Sequence, residues 1–391
     1  MNTIKDIKQR LESPFHKEML RRNYQSLLDR TDVSGFVLES LTGAYEGMYP
    51  RTIGGLARLF VEVGQAERLE ASLDYCIRSM KDNDLEYLPH VLGKRRGKQK
   101  VPVLCDLVQP DGDAHFILAW ALLAKKRGVT DFEKKTYPKV AALLNRITSG
   151  PLLSRATRWR VEPGLVLNTH LEHSREQQYW HAFDFLTQSF VASALQHMVP
   201  LAKKLSKTGQ AGIWQERLKF LEKQINTNMV RTFEGKRIYS EMLLPTGRKP
   251  EVFEGLGWLN LAPIPAGWKG FDTGVFRNTI DKWHEKAEIK WKGPVICAAD
   301  WAPSGHSNET YGKILGWDML GCLKFKEYDR LCAILDFLER VNTLPLYGEK
   351  FQYNTVQRNW EIVDAGNGEQ TAWMCFSIVS LRKSVGLPSL P

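Results

Sequence analysis

Apolar residues recur at positions i, i+3, i+4 and i+7 along most of this 391-residue chain. That spacing places them on one face of an α-helix. The clearest helical segments are 53–80, 115–127, 137–147, 185–205, 213–232, 315–323, 328–342 and 370–385. The sequence has no alternation of strands with helices and no glycine-rich phosphate loop after a strand, which excludes a Rossmann-type nucleotide enzyme. An all-α fold is predicted, with one strand-like stretch at 237–244 that we expect to form a hairpin.

The connections between the helical segments carry many residues capable of binding or catalysis. Loops at 41–51, 105–113, 255–270 and 344–368 hold many of the tryptophans and tyrosines together with aspartates and glutamates. Helix, long loop, helix and short turn alternate at about the length of a helical hairpin, without a repeat of fixed length. Because binding residues concentrate on loops carried by a rigid scaffold, we expect the long loops to share one binding face.

Composition narrows the protein class further. Hydrophobic residues make up 43% and charged residues 25% of the chain, which is typical of a folded protein and not of a disordered one. No apolar run approaches the roughly 18 residues that a membrane helix requires, and the N-terminus lacks an apolar signal core. We therefore expect a cytoplasmic protein without a membrane partner.

Charge and cysteine content indicate few further partners. The formal charge of +10 is spread along the chain except for a dense basic run at residues 93–100. No nucleic-acid-binding motif accompanies that run, so we interpret it as a solvated loop and expect no nucleic-acid partner, while an anionic substrate stays open. The six cysteines are scattered singly, with no CxxC pair, which predicts free thiols and no metal site.

Residues 49–52, with the sequence YPRT, precede the first helical segment. They resemble a segment of the six-hairpin glycosidases, especially the glucoamylase-type enzymes and the bacterial glucosidases related to debranching enzymes. The resemblance implies that Arg51 binds hydroxyls of the sugar, although an ion pair with a nearby acid is also open. Thr52 stands where the family has an aspartate, and a threonine cannot accept two hydroxyls as a carboxylate can.

A second segment, residues 109–113 with the sequence QPDGD, precedes the helix predicted from residue 115. It resembles the Gln-x-Asp-Gly loop that opens an inner helix in the same superfamily. The resemblance implies that Asp111 or Asp113 bonds to sugar hydroxyls. An acidic residue is also a good helix N-cap, so one aspartate is expected to cap the helix if the other faces the substrate.

The third resemblance lies in the loop ahead of the helical segment at 185–205, which in the glucoamylase-like enzymes holds the general acid. It implies that Glu172 is the proton donor. Glu176 and Asp184 are the next candidates for that role and are otherwise expected to bind the substrate. Trp180 and His181 are further candidates for sugar contacts. The histidines of this loop do not follow the i, i+4 spacing of a helical metal site, so no metal is expected.

A fourth segment, LPLYGEKF at 344–351, leads to a helix start with the sequence GEQTAW at 368–373. It is similar to the general-base loop of the family, where a glutamate lies about two dozen residues before the last helix. The resemblance implies that Glu349 is the catalytic base. Glu369 is a close rival, because a glutamate at a helix start either satisfies the helix dipole or points into the barrel.

Tryptophans supply candidate platforms for sugar rings, since indole offers a flat apolar surface with a polar edge. Trp258 follows two nearby glycines and is followed by the polar residue Asn260. We therefore prefer Trp258 as the surface on which a sugar ring stacks and Asn260 as a hydrogen-bonding partner of its hydroxyls. Trp268 is a second candidate, with Trp301 and Trp317 behind it. For Trp317, which lies in a helical pattern, core packing is the preferred interpretation.

Together the four segments and their resemblance imply a single catalytic domain over residues 1–391, folded as an (α/α)6 barrel with long loops on one face. The resemblance implies a glycoside hydrolase that acts on a carbohydrate, such as an α-linked gluco-type oligosaccharide, without a cofactor. Two carboxyl groups about 6.5 to 9.5 Å apart would invert the anomeric configuration. A sugar epimerase or polysaccharide lyase on the same toroid, or a non-catalytic helical scaffold, remains an alternative.

Overall fold

The computed structural model of the protein describes residues 2–149, 164–171, 181–245, 250–289 and 296–391. The α-helices are α1 (Ile4–Leu11), α2 (Pro14–Arg30), α3 (Thr52–Val63), α4 (Ala66–Asp82), α5 (Pro110–Arg127), α6 (Asp131–Thr148), α7 (Phe185–Lys204), α8 (Thr208–Asn228), α9 (Pro263–Ala266), α10 (Thr273–Ala287), α11 (Gly312–Phe325), α12 (Tyr328–Val341) and α13 (Gly368–Ser384), with a 3₁₀ turn at Trp258–Leu261 ahead of α9. The strands are β1 (Pro89–Leu92), β2 (Val103–Val108), β3 (Phe183–Asp184), β4 (Val230–Phe233), β5 (Lys236–Tyr239), β6 (Met242–Leu244), β7 (Glu251–Val252), β8 (Leu256–Gly257), β9 (Asp300–Ala302), β10 (Gly305–His306), β11 (Glu309–Tyr311), β12 (Lys350–Asn354) and β13 (Asn359–Val363).

Six inner elements form a closed ring. Helix α3 packs against α5, α5 against α7, and α7 against the short segment made of the 3₁₀ turn and α9. That segment packs against α11, α11 against α13, and α13 closes the ring on α3. An outer layer of α2, α4, α6, α8, α10 and α12 surrounds the ring, and α1 packs on α12. The fold is therefore an (α/α)6 barrel, as predicted.

The connections differ in length between the two ends of the barrel. Each inner helix reaches the next outer helix through a short turn, at 64–65, 128–130, 205–207 and 326–327. Each outer helix reaches the next inner element through a long loop, as at 31–51, 83–109, 288–311 and 342–367. The N-terminal ends of the inner elements consequently lie at one end of the barrel, together with the long loops.

Burial separates the two layers. Fifteen of the 18 residues of α5 are buried, whereas α8 buries five of its 21 residues. A helix that is apolar on nearly all sides belongs in the core, and one with a single apolar stripe belongs on the surface. At the centre of the ring, the imidazole of His115 lies 3.7 Å from the ring of Phe190, and Trp317 meets Trp373 edge to face at 5.1 Å.

The short strands are confined to the long loops. Strands β11, β12 and β13 form an antiparallel sheet in which Glu309 lies opposite Gln352 and Lys350 opposite Val363. Strands β1 and β2 form a hairpin before α5, and β8 pairs with β9. The predicted strand-like stretch at 237–244 holds parts of β5 and β6, of which β5 forms a hairpin with β4. The sheets position loop residues around the end of the barrel where the inner helices begin.

The structure corrects several helix boundaries. The segment predicted at 53–80 is two helices, α3 and α4, because Gly64 adopts a left-handed conformation with φ of +82° that ends α3. Helix α5 begins at Pro110, ahead of the predicted start at residue 115. Helices α1, α2 and α10 were not among the predicted segments.

Three further features concern the molecule as a whole. All six cysteines are free, as predicted. Buried apolar residues from both layers form one contiguous core. Within the described ranges, no helix combines the length and the apolar character needed to cross a membrane.

Close packing of the ring depends on glycines in α3, which gives the first prediction. A Cβ atom at Gly54 would lie 2.1 Å from His115 Nδ1, which is nearer than real contacts allow. We expect Gly54→Ala to lower the free energy of unfolding by about 1–3 kcal/mol, because overpacking displaces neighbouring helices. Urea unfolding followed by circular dichroism measures the change.

The matched control is Gly212→Ala on the outer helix α8, where an added Cβ meets no atom within 4 Å. This substitution should raise the free energy of unfolding by roughly 0.5–1 kcal/mol through helix propensity. Equal effects at both glycines would contradict the packing argument.

Candidate active site

The long loops converge on one cavity at the N-terminal ends of the inner elements. Its volume is about 510 Å³, within the usual range of small-molecule sites. All six inner elements or the loops ahead of them contribute to the lining. The described lining residues are Glu39, Tyr45, Tyr49, Arg51, Thr52, His90, Gln109, His170, Leu171, Trp258, Glu309, Tyr311, Lys313, Glu349, Lys350, Asn367, Glu369 and Gln370.

A buried lysine connects the starts of α11 and α13. Lys313, the second residue of α11, places its Nζ 3.0 Å from Glu369 Oε1 and 4.4 Å from the centre of the Trp258 ring. Its backbone N–H donates to Gln370 Oε1 at 2.8 Å. The side chains of Lys313 and Glu369 are only 7% and 13% exposed. The ion pair, the cation–π contact and the backbone hydrogen bond at the start of α11 together fix the carboxylate of Glu369 and the indole of Trp258 in the cavity wall.

Glu349 lies on the same side of the cavity, at the residue before β12. Its backbone N–H donates to Val363 O of β13 at 3.1 Å, and its Oε1 accepts the hydroxyl of Tyr45 at 2.8 Å. The pKa of Glu349 is raised to about 7, chiefly by burial and also by the charges of Asp364 and Glu369, while the Tyr45 hydrogen bond and the charge of Lys313 act in the opposite direction. A carboxyl group with such a pKa exchanges a proton near neutral pH.

Arg51 lines the cavity and is also ion-paired. Its Nη2 lies 2.8 Å from Asp111 Oδ2, and the two side chains are 7% and 1% exposed. Asp111 Oδ1 accepts a hydrogen bond from Asn168 Nδ2 at 3.1 Å. The ion pair that the sequence left open is therefore present, and it holds the guanidinium at the cavity wall between α3 and α5.

Glu39 is a further carboxylate in the lining, and sequence reasoning did not identify it. One of its carboxylate oxygens accepts the hydroxyl of Thr52, and the other accepts the backbone N–H of Glu369 at 2.9 Å. Thr52 is the first residue of α3 and Glu369 the second of α13, so Glu39 lies at two helix N-termini, where a negative charge is favoured. Burial nevertheless raises the pKa of Glu39 to about 7.

Another ion pair, between two residues of the lining, lies in the β11–β12 sheet. Glu309 Oε2 lies 2.9 Å from Lys350 Nζ, and its Oε1 accepts the hydroxyl of Tyr311 at 3.0 Å. Burial, followed by the charge of Glu309, raises the pKa of Tyr311 well above its usual value. The phenol of Tyr311 therefore stays neutral and acts as a hydrogen-bond donor.

Aromatic rings form another stretch of the cavity lining. The rings of Tyr45 and Tyr49 are 6.1 Å apart, those of Tyr49 and His90 5.1 Å, and those of His90 and His170 5.0 Å. His90 Nδ1 shares a hydrogen bond of 2.8 Å with Gln109 Oε1. This stretch joins the loops ahead of α3, α5 and α7, and offers flat surfaces with polar edges to a ligand.

Several predicted sugar-binding residues do not line the cavity, and one of them is Asp111, which is buried behind Arg51. Asp113 is buried against Arg146, with 3.0 Å between carboxylate and guanidinium. Asp184 is buried as the N-cap of α7, and its Oδ1 accepts a backbone N–H at 2.7 Å. Asn260 is buried and donates to a main-chain carbonyl at 3.3 Å, while His181 is exposed to solvent. The capping prediction at α5 was also wrong, because Gln109 occupies the N-cap position.

Among the tryptophan candidates, only Trp258 lines the cavity within the described residues. Trp268 is buried and donates its indole N–H to Glu222 at 3.0 Å. Trp301 packs against Phe233, and Trp317 is buried in the core as predicted. Three other predicted site residues, Glu172, Glu176 and Trp180, lie outside the described residues.

Sequence reasoning missed much of the lining for one reason. Lys313, Glu309 and Glu39 belong to no motif that stands out in a single sequence, and each reaches the cavity through its place at or before an inner helix. The signal that would have found Lys313 is its position in the first turn of an inner helix. Glu39 has no such signal, since it lies 13 positions before its partner Thr52.

Comparisons with known proteins give structural matches only. No family model matches the chain, and no curated protein matches it by sequence. A metal-independent α-mannosidase from Streptococcus pneumoniae, solved in a non-productive complex with α-1,6-mannobiose, matches with a TM-score of 0.69 and 13% identity over 97% of each chain. A bacterial glucoamylase complexed with acarbose matches with a TM-score of 0.65 and 13% identity over 94% of this chain and 56% of that one.

A mannosylglycerate hydrolase from Thermus thermophilus in complex with glucose matches with a TM-score of 0.62 and 15% identity, over 92% of this chain and 99% of that one. At these identities the likeness concerns the fold. The chain therefore shares its (α/α)6-barrel fold with proteins described as a mannosidase, a glucoamylase and a mannosylglycerate hydrolase.

Proposed function

We propose that the chain is a glycoside hydrolase whose active site is the cavity at the N-terminal ends of the inner helices. The observation that carries this proposal is the convergence of loops from all six inner elements on a cavity lined by Glu349, Glu369 and Trp258. Carboxyl groups beside an indole are what sugar binding and glycosidic cleavage require. Three proteins of the same fold, described as glycosidases or a hydrolase of a glycoside, support this choice.

We assign the catalytic base to Glu349. Glycosidic cleavage by inversion needs a carboxylate that removes a proton from water while a second carboxyl group protonates the leaving group. Glu349 accepts one hydrogen bond, from Tyr45, and within the described residues no side chain donates to its other oxygen. Glu369, in contrast, is ion-paired with Lys313. Glu349 is thus the better proton acceptor, whereas the ion pair with Lys313 gives Glu369 a structural role.

Glu172 stays the proposed proton donor, on the sequence resemblance alone. The proposed substrate is an α-linked hexoside, of the gluco or manno type, cleaved with inversion by one catalytic domain that spans the chain. A panel of aryl α-glucosides, α-mannosides and the matching disaccharides tests this assignment, with product anomers followed by NMR. Release of the β-anomer first is the expected result. Absence of turnover on the whole panel would remove the main support for a hydrolase.

A second candidate function rests on the two histidines in the cavity. His90 and His170 have ring centres 5.0 Å apart, and imidazoles transfer protons near neutral pH. A sugar epimerase would use such groups to exchange a C–H proton with solvent. Incubation of glucose and mannose with the protein in D₂O separates the two functions, because only an epimerase incorporates deuterium at carbon without releasing reducing ends.

Replacing the proposed base gives the second prediction. We expect Glu349→Gln to lower kcat by roughly 10²–10⁴-fold, because the amide cannot accept the proton of water. The measurement is kcat on aryl glycosides whose phenol leaving groups differ in pKa. The loss should be similar for all leaving groups, since a missing base affects each substrate equally.

Glu361→Gln is the matched control, because Glu361 is an exposed glutamate of β13 in the same sheet. It should leave kcat unchanged. If Glu349→Gln retained activity on dinitrophenyl glycosides and lost it on poor leaving groups, Glu349 would be the acid and the assignment would be wrong.

The pKa of Glu349 gives the third prediction. Because the base acts as a carboxylate and its pKa is raised to about 7, kcat/KM should fall tenfold per pH unit below about pH 7. Tyr45→Phe removes a hydrogen bond that stabilises the charged form, so the pKa rises and the acidic limb moves to higher pH. A kcat/KM profile between pH 4 and 9 measures both effects.

Tyr24→Phe is the matched control, since its hydroxyl accepts a hydrogen bond from Gln65 away from the cavity. It should leave the acidic limb in place. An acidic limb that stays at the same pH in Tyr45→Phe would show that another group, such as a cavity histidine, sets the limb.

A further inference from the structure

Among the lining residues that the structure describes, Glu39 is the one carboxylate that is neither the proposed base nor part of an ion pair. It resides on the loop between α2 and α3, and its side chain is among the buried charged groups with 4% exposure. Burial of a carboxylate is costly unless it is paired or hydrogen-bonded. Its two oxygens and its surroundings therefore define what it can bind.

The backbone of Glu39 is held from three sides. Its N–H donates to Gly47 O at 2.9 Å, and its carbonyl accepts the N–H of Gly368 at 2.7 Å and the guanidinium of Arg30 at 3.0 Å. The cavity residues Asn367 and Glu369 flank Gly368. A Cβ atom on Gly368 would lie 3.1 Å from a carboxylate oxygen of Glu39. Contacts with its own loop, with α2 and with the start of α13 thus fix the backbone of Glu39. Because Gly368 has no side chain, there is room for the Glu39 carboxylate.

The carboxylate of Glu39 retains unused acceptor capacity. An ionised carboxylate has about four lone-pair positions. Within the described residues only two donors reach it, the hydroxyl of Thr52 on one oxygen and the backbone N–H of Glu369 on the other. Each oxygen keeps one acceptor position, and the residue lines the cavity. A ligand hydroxyl is the donor that such a site fits, because hydrogen bonds to charged acceptors are the stronger ones.

The charges around the cavity decide which sugars are compatible. Among the described lining residues, the cations Arg51, Lys313 and Lys350 are each ion-paired to a carboxylate of the protein. Glu39 and Glu349 are carboxylates without such an ion pair. A negatively charged sugar would meet like charges here without an unengaged cation to offset them.

We propose that Glu39 is a specificity-determining residue, whose carboxylate accepts a hydroxyl of a neutral sugar ring and disfavours a sugar acid in the same place. The proposal deepens the proposed function and rests on it, since it takes the cavity as a sugar site. It also explains Thr52, a residue that cannot itself accept two sugar hydroxyls. Here Thr52 orients a carboxylate that lies 13 positions earlier, on the loop that leads into α3.

The experiment measures sugar binding apart from hydrolysis. Isothermal titration calorimetry at pH 8, where Glu39 is ionised, compares glucose, mannose and glucuronic acid on the unmodified protein and on Glu39→Gln. We expect the unmodified protein to bind a neutral sugar more tightly than glucuronic acid. Glu39→Gln should weaken binding of the neutral sugar by roughly 10- to 100-fold. It should also reduce the difference in affinity between the neutral sugar and glucuronic acid.

Monodeoxy derivatives of the tighter neutral sugar separate a direct contact from a structural role. The derivative that lacks the hydroxyl held by Glu39 should bind equally weakly to the unmodified protein and to Glu39→Gln, because the two losses remove the same hydrogen bond. A merely structural role would weaken every derivative by the same factor. Glu133→Gln, which alters a buried carboxylate of α6 outside the cavity, is the control and should not weaken sugar binding.

The outcomes separate this inference from the proposed function. Full affinity of Glu39→Gln for the neutral sugars, a preference of the unmodified protein for glucuronic acid, or no sugar binding at all would overturn the role of Glu39. Turnover of aryl glycosides is assayed in parallel. If the binding pattern holds but no glycoside is hydrolysed, the hydrolase proposal fails and the recognition role of Glu39 stands.

Discussion

The starts of the six inner elements surround one cavity, and the chemistry of the site follows from that constraint. The first turn of a helix carries unpaired N–H groups and a partial positive charge. A carboxylate there can accept these N–H groups, and the backbone N–H of Glu369 donates to the side chain of Glu39 at 2.9 Å. The ring closes this tightly because residues such as Gly54 let α3 approach α5. Helix packing at the core and acid placement at the cavity are therefore parts of one arrangement.

Ion pairs at the cavity wall connect neighbouring inner helices. Arg51 and Asp111 link α3 to α5, and Lys313 and Glu369 link α11 to α13. Breaking a buried ion pair leaves an uncompensated charge, at a cost of roughly 3–5 kcal/mol, so these pairs hold the site rigid. Glu349 differs, because it has one hydrogen-bond donor and a raised pKa. The carboxyl group that we propose as the base is thus held by a single neutral hydrogen-bond donor and not by an ion pair.

The sequence predicted the architecture better than the lining of the site. Helical periodicity was enough for an all-α fold, since it depends on local spacing, and the resemblance of four segments to a known family implied the (α/α)6 barrel. Arg51, Glu349 and Glu369 were also placed in one cavity, whereas Asp113 and Asp184 were not. Those aspartates lie near inner-helix starts, as predicted, but their side chains contact Arg146 and a backbone N–H. Which way a side chain points within a helix turn depends on three-dimensional neighbours that no single sequence reveals.

Glu39 shows why it is misleading to interpret a sequence motif one residue at a time. The first-helix motif ends in Thr52, and taken alone that residue suggests a weakened or altered sugar site. In the folded chain the hydroxyl of Thr52 donates to Glu39, so a carboxylate reaches the cavity at the start of α3 after all. The acid comes from an earlier part of the same loop, where the carbonyl of Glu39 accepts the N–H of Gly368 at the start of α13. The motif position itself therefore carries no carboxylate, and the carboxylate beside it belongs to Glu39, which only the folded chain reveals.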